Sequence, residues 1–232
     1  MVRRLASGLL VACLLSAWTA PLAAQEPATI FATVCATCHG ENADGKQETM
    51  APALAGLPRW YGVIQLNKFR EGLRGKHHAD LTGAQMQAIA ASLTSDLVTG
   101  LAAYLEGLKP VPIQAPQEAN PVRGGELFEE ICAKCHRFNG QGEQVFRSAP
   151  LTTLSSWYIA ESLRKFREGV RGYHHGDLEG PKMQEVAKQF GDQEIRDLIG
   201  YIALLAERYP PGQSGRAARD RRVTPTSVPL VP

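Results

Sequence analysis

Two short stretches of this chain carry chemistry at a fixed spacing: Cys35-Ala36-Thr37-Cys38-His39 and Cys132-Ala133-Lys134-Cys135-His136. Two cysteines three positions apart at a helix end can form thioethers to the two vinyl groups of one haem. The adjacent histidine is then brought under the iron as its proximal ligand. A redox dithiol, a zinc site or a disulfide would draw on the same residue types. A zinc ribbon, however, gathers both cysteine pairs onto one metal, and the sequence around these pairs keeps them apart.

A shift of 97 residues aligns the halves without a gap from the cysteines onward. Trp60-Tyr61 falls on Trp157-Tyr158, and Lys68-Phe69-Arg70-Glu71-Gly72 falls on Lys165-Phe166-Arg167-Glu168-Gly169. His77-His78 matches His174-His175, Asp80-Leu81 matches Asp177-Leu178, and Met86-Gln87 matches Met183-Gln184. The chain is therefore a tandem duplication, and two copies make small domains with their own cores, not a solenoid. Each cysteine motif sits inside a complete repeat, so two covalently attached haem c groups are expected.

The elements that must position these residues read the same way twice. Gly125 to Ile131 forms a short amphipathic stretch ending at the cysteines. Trp157 to Glu168 places Ile159, Leu163 and Phe166 at helical spacing, with Gly169 as a stop. Asp192 to Arg208 carries a long apolar face, with Asp192 read as its N-cap. Its counterpart runs from about Thr94 to Leu108. No alternating strand pattern is found, and the fold class expected is all-α: two tandem helical domains, each around one haem.

The chain has 232 residues. Arg3 and Arg4, the uncharged run Leu5 to Trp18, and Ala20, Ala23 and Ala24 predict a signal peptide over 1–24 and export to the periplasm. Leu10-Val11-Ala12-Cys13 resembles a lipoprotein cleavage box, which would lipidate Cys13, but the apolar run continues past it. The predicted division is a first domain over 25–109, a Pro-rich linker over 110–121, a second domain over 122–209 and a disordered tail over 210–232. Cleavage removes two of the 25 Lys and Arg, leaving as many as the 23 Asp and Glu. That balance gives no polybasic case for nucleic acid or an anionic membrane.

Two candidates for the sixth iron ligand occur in both repeats. Met86 and Met183 each lie 47 residues after their histidine, ahead of the last helix. The pairs His77-His78 and His174-His175 are the rival set and would give bis-histidine iron. Arg70, Arg74, Arg167 and Arg171 are candidates to pair with haem propionates. Trp60, Tyr61, Trp157 and Tyr158 are candidates to pack on the ring edge.

With these motifs, Pro52-Ala53-Leu54-Ala55-Gly56, the stretch Gln65 to Gly72, and final helices containing Ala103-Tyr104 and Gly200-Tyr201, the chain resembles the dihaem cytochrome c4 family. That family is built from two cytochrome c domains. The resemblance implies that Met86 and Met183 ligate iron opposite His39 and His136. It also implies that the carbonyl of Pro52 orients His39; in the second copy Ala149 aligns with Pro52, and Pro150 comes one position late. The expected function is a periplasmic electron carrier, not an enzyme, between a quinol–cytochrome c reductase or dehydrogenase and a terminal oxidase or reductase. Its partners are redox proteins, with no nucleic acid and no small-molecule substrate. Two alternatives stay open: a cytochrome subunit of a complex such as a sulfide-oxidising flavocytochrome, and a dihaem enzyme with one accessible iron.

A domain of this size with many glycines has a modest core, so each half is expected to fold poorly without its haem. Circular dichroism of protein with all four motif cysteines changed to alanine should show low helicity and no cooperative melt. Native-like melting would contradict this.

Overall fold

The computed structural model describes residues 26–211. The predicted signal peptide, Cys13 and the residues from Gly212 on lie outside the described residues. Within them the chain is helical, with two isolated antiparallel bridges, Lys46 to Ala51 and Glu143 to Ser148, one per repeat. No single helix there is long and apolar enough to cross a membrane.

The first repeat contains α1 (Pro27–Ile30), a π-helical turn (Phe31–Cys35) and α2 (Ala36–His39). Then come α3 (Arg59–Arg70), α4 (Leu81–Ala91) and α5 (Ser95–Glu106). The second repeat follows the same order: α6 (Pro121–Leu127), a π-helical turn (Phe128–Cys132), α7 (Ala133–His136), α8 (Ser156–Arg167), α9 (Gly180–Ala187) and α10 (Asp192–Arg208). The wide turn comes immediately before the motif in both halves and ends on its first cysteine, a placement typical of π-bulges at functional sites.

Helix α10 packs on α6, where a Cβ on Gly124 would lie 1.9 Å from the Asp197 carbonyl oxygen, so only glycine permits the approach. The expected limits of α10 hold, but its cap does not: Gly191 is the N-cap, and the Glu194 carboxylate accepts from the Gly191 N–H at 3.0 Å. Asp192 occupies the first helical position, with its carboxylate turned to Arg167 at 3.0 Å. A neighbouring guanidinium competes more strongly for a carboxylate than one backbone amide does. Helix α5 begins as read, with Thr94 Oγ1 accepting from Leu97 N–H.

Two apolar clusters form the cores, and they are not fully separate. The larger one gathers Phe128, Ile159, Ile195, Leu198 and Ile202 of the second repeat together with Leu57 and Tyr61 of the first. The second core thus continues across the boundary. The Pro-rich connector follows this seam: Ile113 packs on the larger cluster, and Ser156 Oγ donates to the Gln114 carbonyl.

Across the boundary the repeats exchange charged partners. Lys68 Nζ donates to Asp177 at 2.5 Å and to Glu179 at 2.7 Å, while Lys165 Nζ donates to Asp80 at 2.8 Å and to Thr82 at 2.9 Å. Lys68 and Lys165 are repeat equivalents, as are Asp80 and Asp177, so the contact has the form of a two-fold interface within one chain. The same carboxylates start the methionine helices. Asp80 accepts from the Gly83 N–H at 3.0 Å ahead of α4, and Asp177 from the Gly180 N–H at 3.1 Å ahead of α9.

Burial pushes both carboxyls up, but the lysine ammonium and the amides outweigh it and hold Asp80 and Asp177 below the usual carboxylate range. A group whose folded pKa is depressed stabilises the fold above its unfolded pKa, about 3.9 for Asp, and ceases to do so as pH falls through the folded value. Unfolding free energy should therefore drop below about pH 4. Lys68→Ala, which leaves Asp177 buried without its cation, should cost about 3 kcal/mol at neutral pH. Denaturant titrations across pH check both; a neutral Lys68→Ala would show that the pair contributes nothing.

Candidate functional site

In each repeat the cysteine motif closes a helix on a buried histidine. His39 and His136 are 5% and 7% exposed. Nδ1 of His39 lies 2.8 Å from the Pro52 carbonyl, and Nδ1 of His136 lies 2.8 Å from the Ala149 carbonyl. The alanine in the second copy therefore makes the contact that the proline makes in the first. The acceptor is a backbone oxygen, so side-chain identity matters less than the path of the chain. With Nδ1–H donating, Nε2 carries the lone pair, the arrangement that orients a metal-binding imidazole. Burial lowers both histidine pKa values against the pull of the carbonyl bond, which keeps the rings in the neutral, ligating form.

Before haem is attached the four motif cysteines are thiols, none of them paired in a disulfide. Burial, followed by the charge of the neighbouring Cys38, raises the Cys35 thiol; the same causes, with Cys135 as neighbour, push Cys132 up to about 12. The loop beyond each motif caps its last carbonyls by different means: Thr49 Oγ1 donates to the Cys38 carbonyl at 2.9 Å, and Ser148 Oγ to the Cys135 carbonyl at 2.6 Å.

Two cavities open beside these histidines. The first, about 120 Å³, is bounded by His39, Pro52, Leu66, Phe69 and Met86. Cys35 and Cys38 do not line it. The second, about 480 Å³, is bounded by Cys132, Cys135, His136 and Met183, with Phe166 and Phe190 among its apolar walls. The expected methionines thus share a cavity with the expected histidine in each repeat. His77, His78, His174 and His175 line neither. They stack in pairs at 4.4 and 4.6 Å between ring centroids, and His77 and His174 accept local backbone N–H bonds at Nδ1.

The cavities meet at a common wall. Tyr61, Gln65, Arg74, Ser162 and Arg171 border both, so the two sites stand back to back across the interface. Arg74 donates to the Gln65 amide oxygen at 2.8 Å and to the Tyr158 hydroxyl at 2.7 Å, and Arg171 donates to Ser162 at 3.0 Å. Each guanidinium lies over a phenylalanine ring, Arg74 on Phe69 and Arg171 on Phe166. Burial pushes the Tyr158 phenol up, but Arg74 and Arg171 outweigh it and bring it down to about 7. The Arg74 Nε is buried without a partner. Cations gathered at the shared wall, with a donor to spare, fit the carboxylates of a haem. Arg70 and Arg167 point elsewhere, to Ser95 and to Asp192 with the Phe190 carbonyl, so half of the expected arginine set is not at the wall.

The cytochrome c family model matches residues 24–109 and again 121–206. The chain belongs to the cytochrome c family. It is a tandem member with two c-type haem domains and acts in electron transfer. A thiosulfate dehydrogenase electron acceptor from Thiomonas intermedia is 31% identical over 86% of this chain and 90% of its own length. Cytochrome c4 from Azotobacter vinelandii is 28% identical over 75% of this chain and 85% of its own. Among solved structures, reduced recombinant cytochrome c4 from Pseudomonas stutzeri superposes with a TM-score of 0.59 at 25% identity, covering 74% of this chain and 93% of that one. The haem reading of the two motifs stands, and the dithiol, zinc and disulfide readings fall.

The exits from the two motif helices differ. Gly40 leaves the first at φ 83°, ψ 151°, and Arg137, its equivalent, leaves the second at φ 65°, ψ 158°. That region is natural only for glycine and costs other residues roughly 1–3 kcal/mol. The exposed Arg137–Glu143 contact at 3.8 Å offsets little of this. Arg137→Gly should raise the unfolding free energy by about 1 kcal/mol with an unchanged haem spectrum. A destabilised variant would contradict the strain.

Proposed function

We propose that this chain is an exported dihaem electron carrier in which His39 and Met86 ligate one iron, and His136 and Met183 the other. Thioethers to Cys35 and Cys38, and to Cys132 and Cys135, hold the two haems within domains 25–109 and 122–209. When bound, each haem supplies a one-electron ferric–ferrous couple, and no substrate bond is made or broken. The protein's own residues do the rest. The Pro52 and Ala149 carbonyls fix the two imidazoles. Apolar walls exclude water, and the arginines of the shared wall supply fixed positive charge between the sites.

The observation that carries this reading is the back-to-back arrangement of the two His/Met cavities around one shared wall. Two sites so placed suit an electron entering through one domain and leaving through the other. Methionine at the sixth position raises the potential relative to bis-histidine iron and leaves no open coordination site. Ligation of this kind argues against the dihaem-enzyme alternative.

The donor is a dehydrogenase or a quinol–cytochrome c reductase, and the acceptor a terminal oxidase or reductase, in the periplasm. The dehydrogenase is favoured as donor, because the Thiomonas intermedia relative is named as the electron acceptor of such an enzyme. That name also supports the second reading, a cytochrome subunit in stable complex with its enzyme. Stoichiometric co-purification with a catalytic subunit distinguishes the two.

Redox titration with spectral monitoring should resolve two one-electron steps, with an iron–sulfur charge-transfer band at the red end of the visible spectrum. Met183→His should abolish half of that band. It should lower one midpoint only, by on the order of 0.1 V within the roughly 0.8 V that axial ligands span. An unchanged band and potential would remove Met183 as a ligand.

A further inference from the structure

Each lysine of the exchanged pair reaches into the cavity of the other repeat. Lys68, on α3 of the first repeat, lines the second cavity, and Lys165, on α8 of the second, lines the first. Neither lines the cavity of its own repeat. Lys68 is buried, at 7% exposure, and Lys165 is half-buried, so both ammonium groups have given up water for these contacts.

What they reach is the start of the helix that carries the methionine. Asp177, which receives Lys68, accepts from the N–H of Gly180, three residues before Met183. Asp80, which receives Lys165, accepts from the N–H of Gly83, three residues before Met86. On its other side each start is pressed against its own repeat. A Cβ on Gly172 would lie 2.5 Å from the Gly180 carbonyl oxygen, and one on Gly75 would lie 2.3 Å from that of Gly83. Beside Met183, Gln184 donates from Nε2 to the Arg171 carbonyl at 2.9 Å.

The start of α4 and of α9 is thus gripped between its own repeat and an ammonium from across the boundary. A buried carboxylate that loses its cation must find water or another partner, and the turn it caps moves with it. The methionine lies within one turn of that cap, and a single helical turn moves as a unit. A displacement at Asp177 or Asp80 is therefore carried to the sulfur.

We infer that Lys68 is a positioning residue for the second haem and Lys165 for the first, each holding the methionine of the opposite repeat on its iron. This rests on the reading of Met86 and Met183 as ligands, and it places part of each haem site in the other domain. A domain parted from its neighbour keeps its thioethers and its histidine but holds its methionine less tightly. Opening the seam weakens both sixth bonds at once.

The test uses the full ferric holo-protein, with imidazole as the competing ligand and loss of the iron–sulfur charge-transfer band as the readout. Met86→His leaves the second haem as the source of that band, and Met183→His leaves the first. In the Met86→His background, Lys68→Met should let imidazole displace Met183 at about tenfold lower concentration, the loss of one charge-assisted hydrogen bond. In the Met183→His background the same change should leave the displacement of Met86 where it was. Lys165→Met should show the converse, and Lys68→Arg should restore the parent value. Adding Asp177→Asn to Lys68→Met removes the lone buried carboxylate and should restore folding stability, while Met183 stays easily displaced. An unchanged Met183 bond in Lys68→Met, an equal loss at Met86, or recovery of the Met183 bond together with stability overturns the proposal. A full band remaining in Met183→His overturns the ligand reading and the proposal with it. Normal bands that do not respond to Lys68→Met remove the positioning role alone and leave the electron-carrier reading intact.

Discussion

The pair of carboxylates at Asp80 and Asp177 holds the rest of the arrangement in place. Each is buried, each starts the helix that carries a candidate iron ligand, and each accepts the lysine of the opposite repeat. Removing two charges from water is costly, so such a pair persists only with nearly complete hydrogen bonding, which both sites have. Three features therefore depend on one interaction: the start of α4 and α9, the angle between the domains, and the wall the two cavities share. A change at either carboxylate acts on the methionine helix and on the interface at once.

The cysteine motifs, the 97-residue repeat and the limits of α10 were legible because they are local or repeated. Met86 and Met183 could be singled out because duplication leaves only two methionines at matched positions. The exchange of lysines was not legible, although Lys68, Lys165, Asp80 and Asp177 all match between the halves. A repeat shows that a position is kept in both copies. It does not show whether a side chain meets its partner in its own copy or in the other, because both arrangements give the same pattern. The seam was hidden for a related reason: the sequence read Tyr61 as packing on a haem edge, and nothing in it says that Leu57 and Tyr61 enter the core of the other repeat.

The histidine contacts show the opposite case. A proline in one copy and an alanine in the other looked like a departure, but the group that matters is the backbone carbonyl thirteen residues beyond the histidine in each. Likewise the arginines divide by position, not by type. Arg74 and Arg171 reach the shared wall, whereas Arg70 and Arg167, on the same repeated stretches, turn outward. Four residues along a chain that has just left its helix is enough to reverse direction, and helical spacing does not extend past the glycine that ends it.

The exchanged lysines also bear on how such a chain can be assembled. An interface in which each half offers the other the same surface is self-complementary, so a single half carries everything needed to pair with its twin. Joining the two through a short connector turns that pairing into an intramolecular event at an effective concentration in the millimolar range. The seam, apolar at Leu57 and Tyr61 and ionic at the exchanged lysines, then closes without recruiting a second chain.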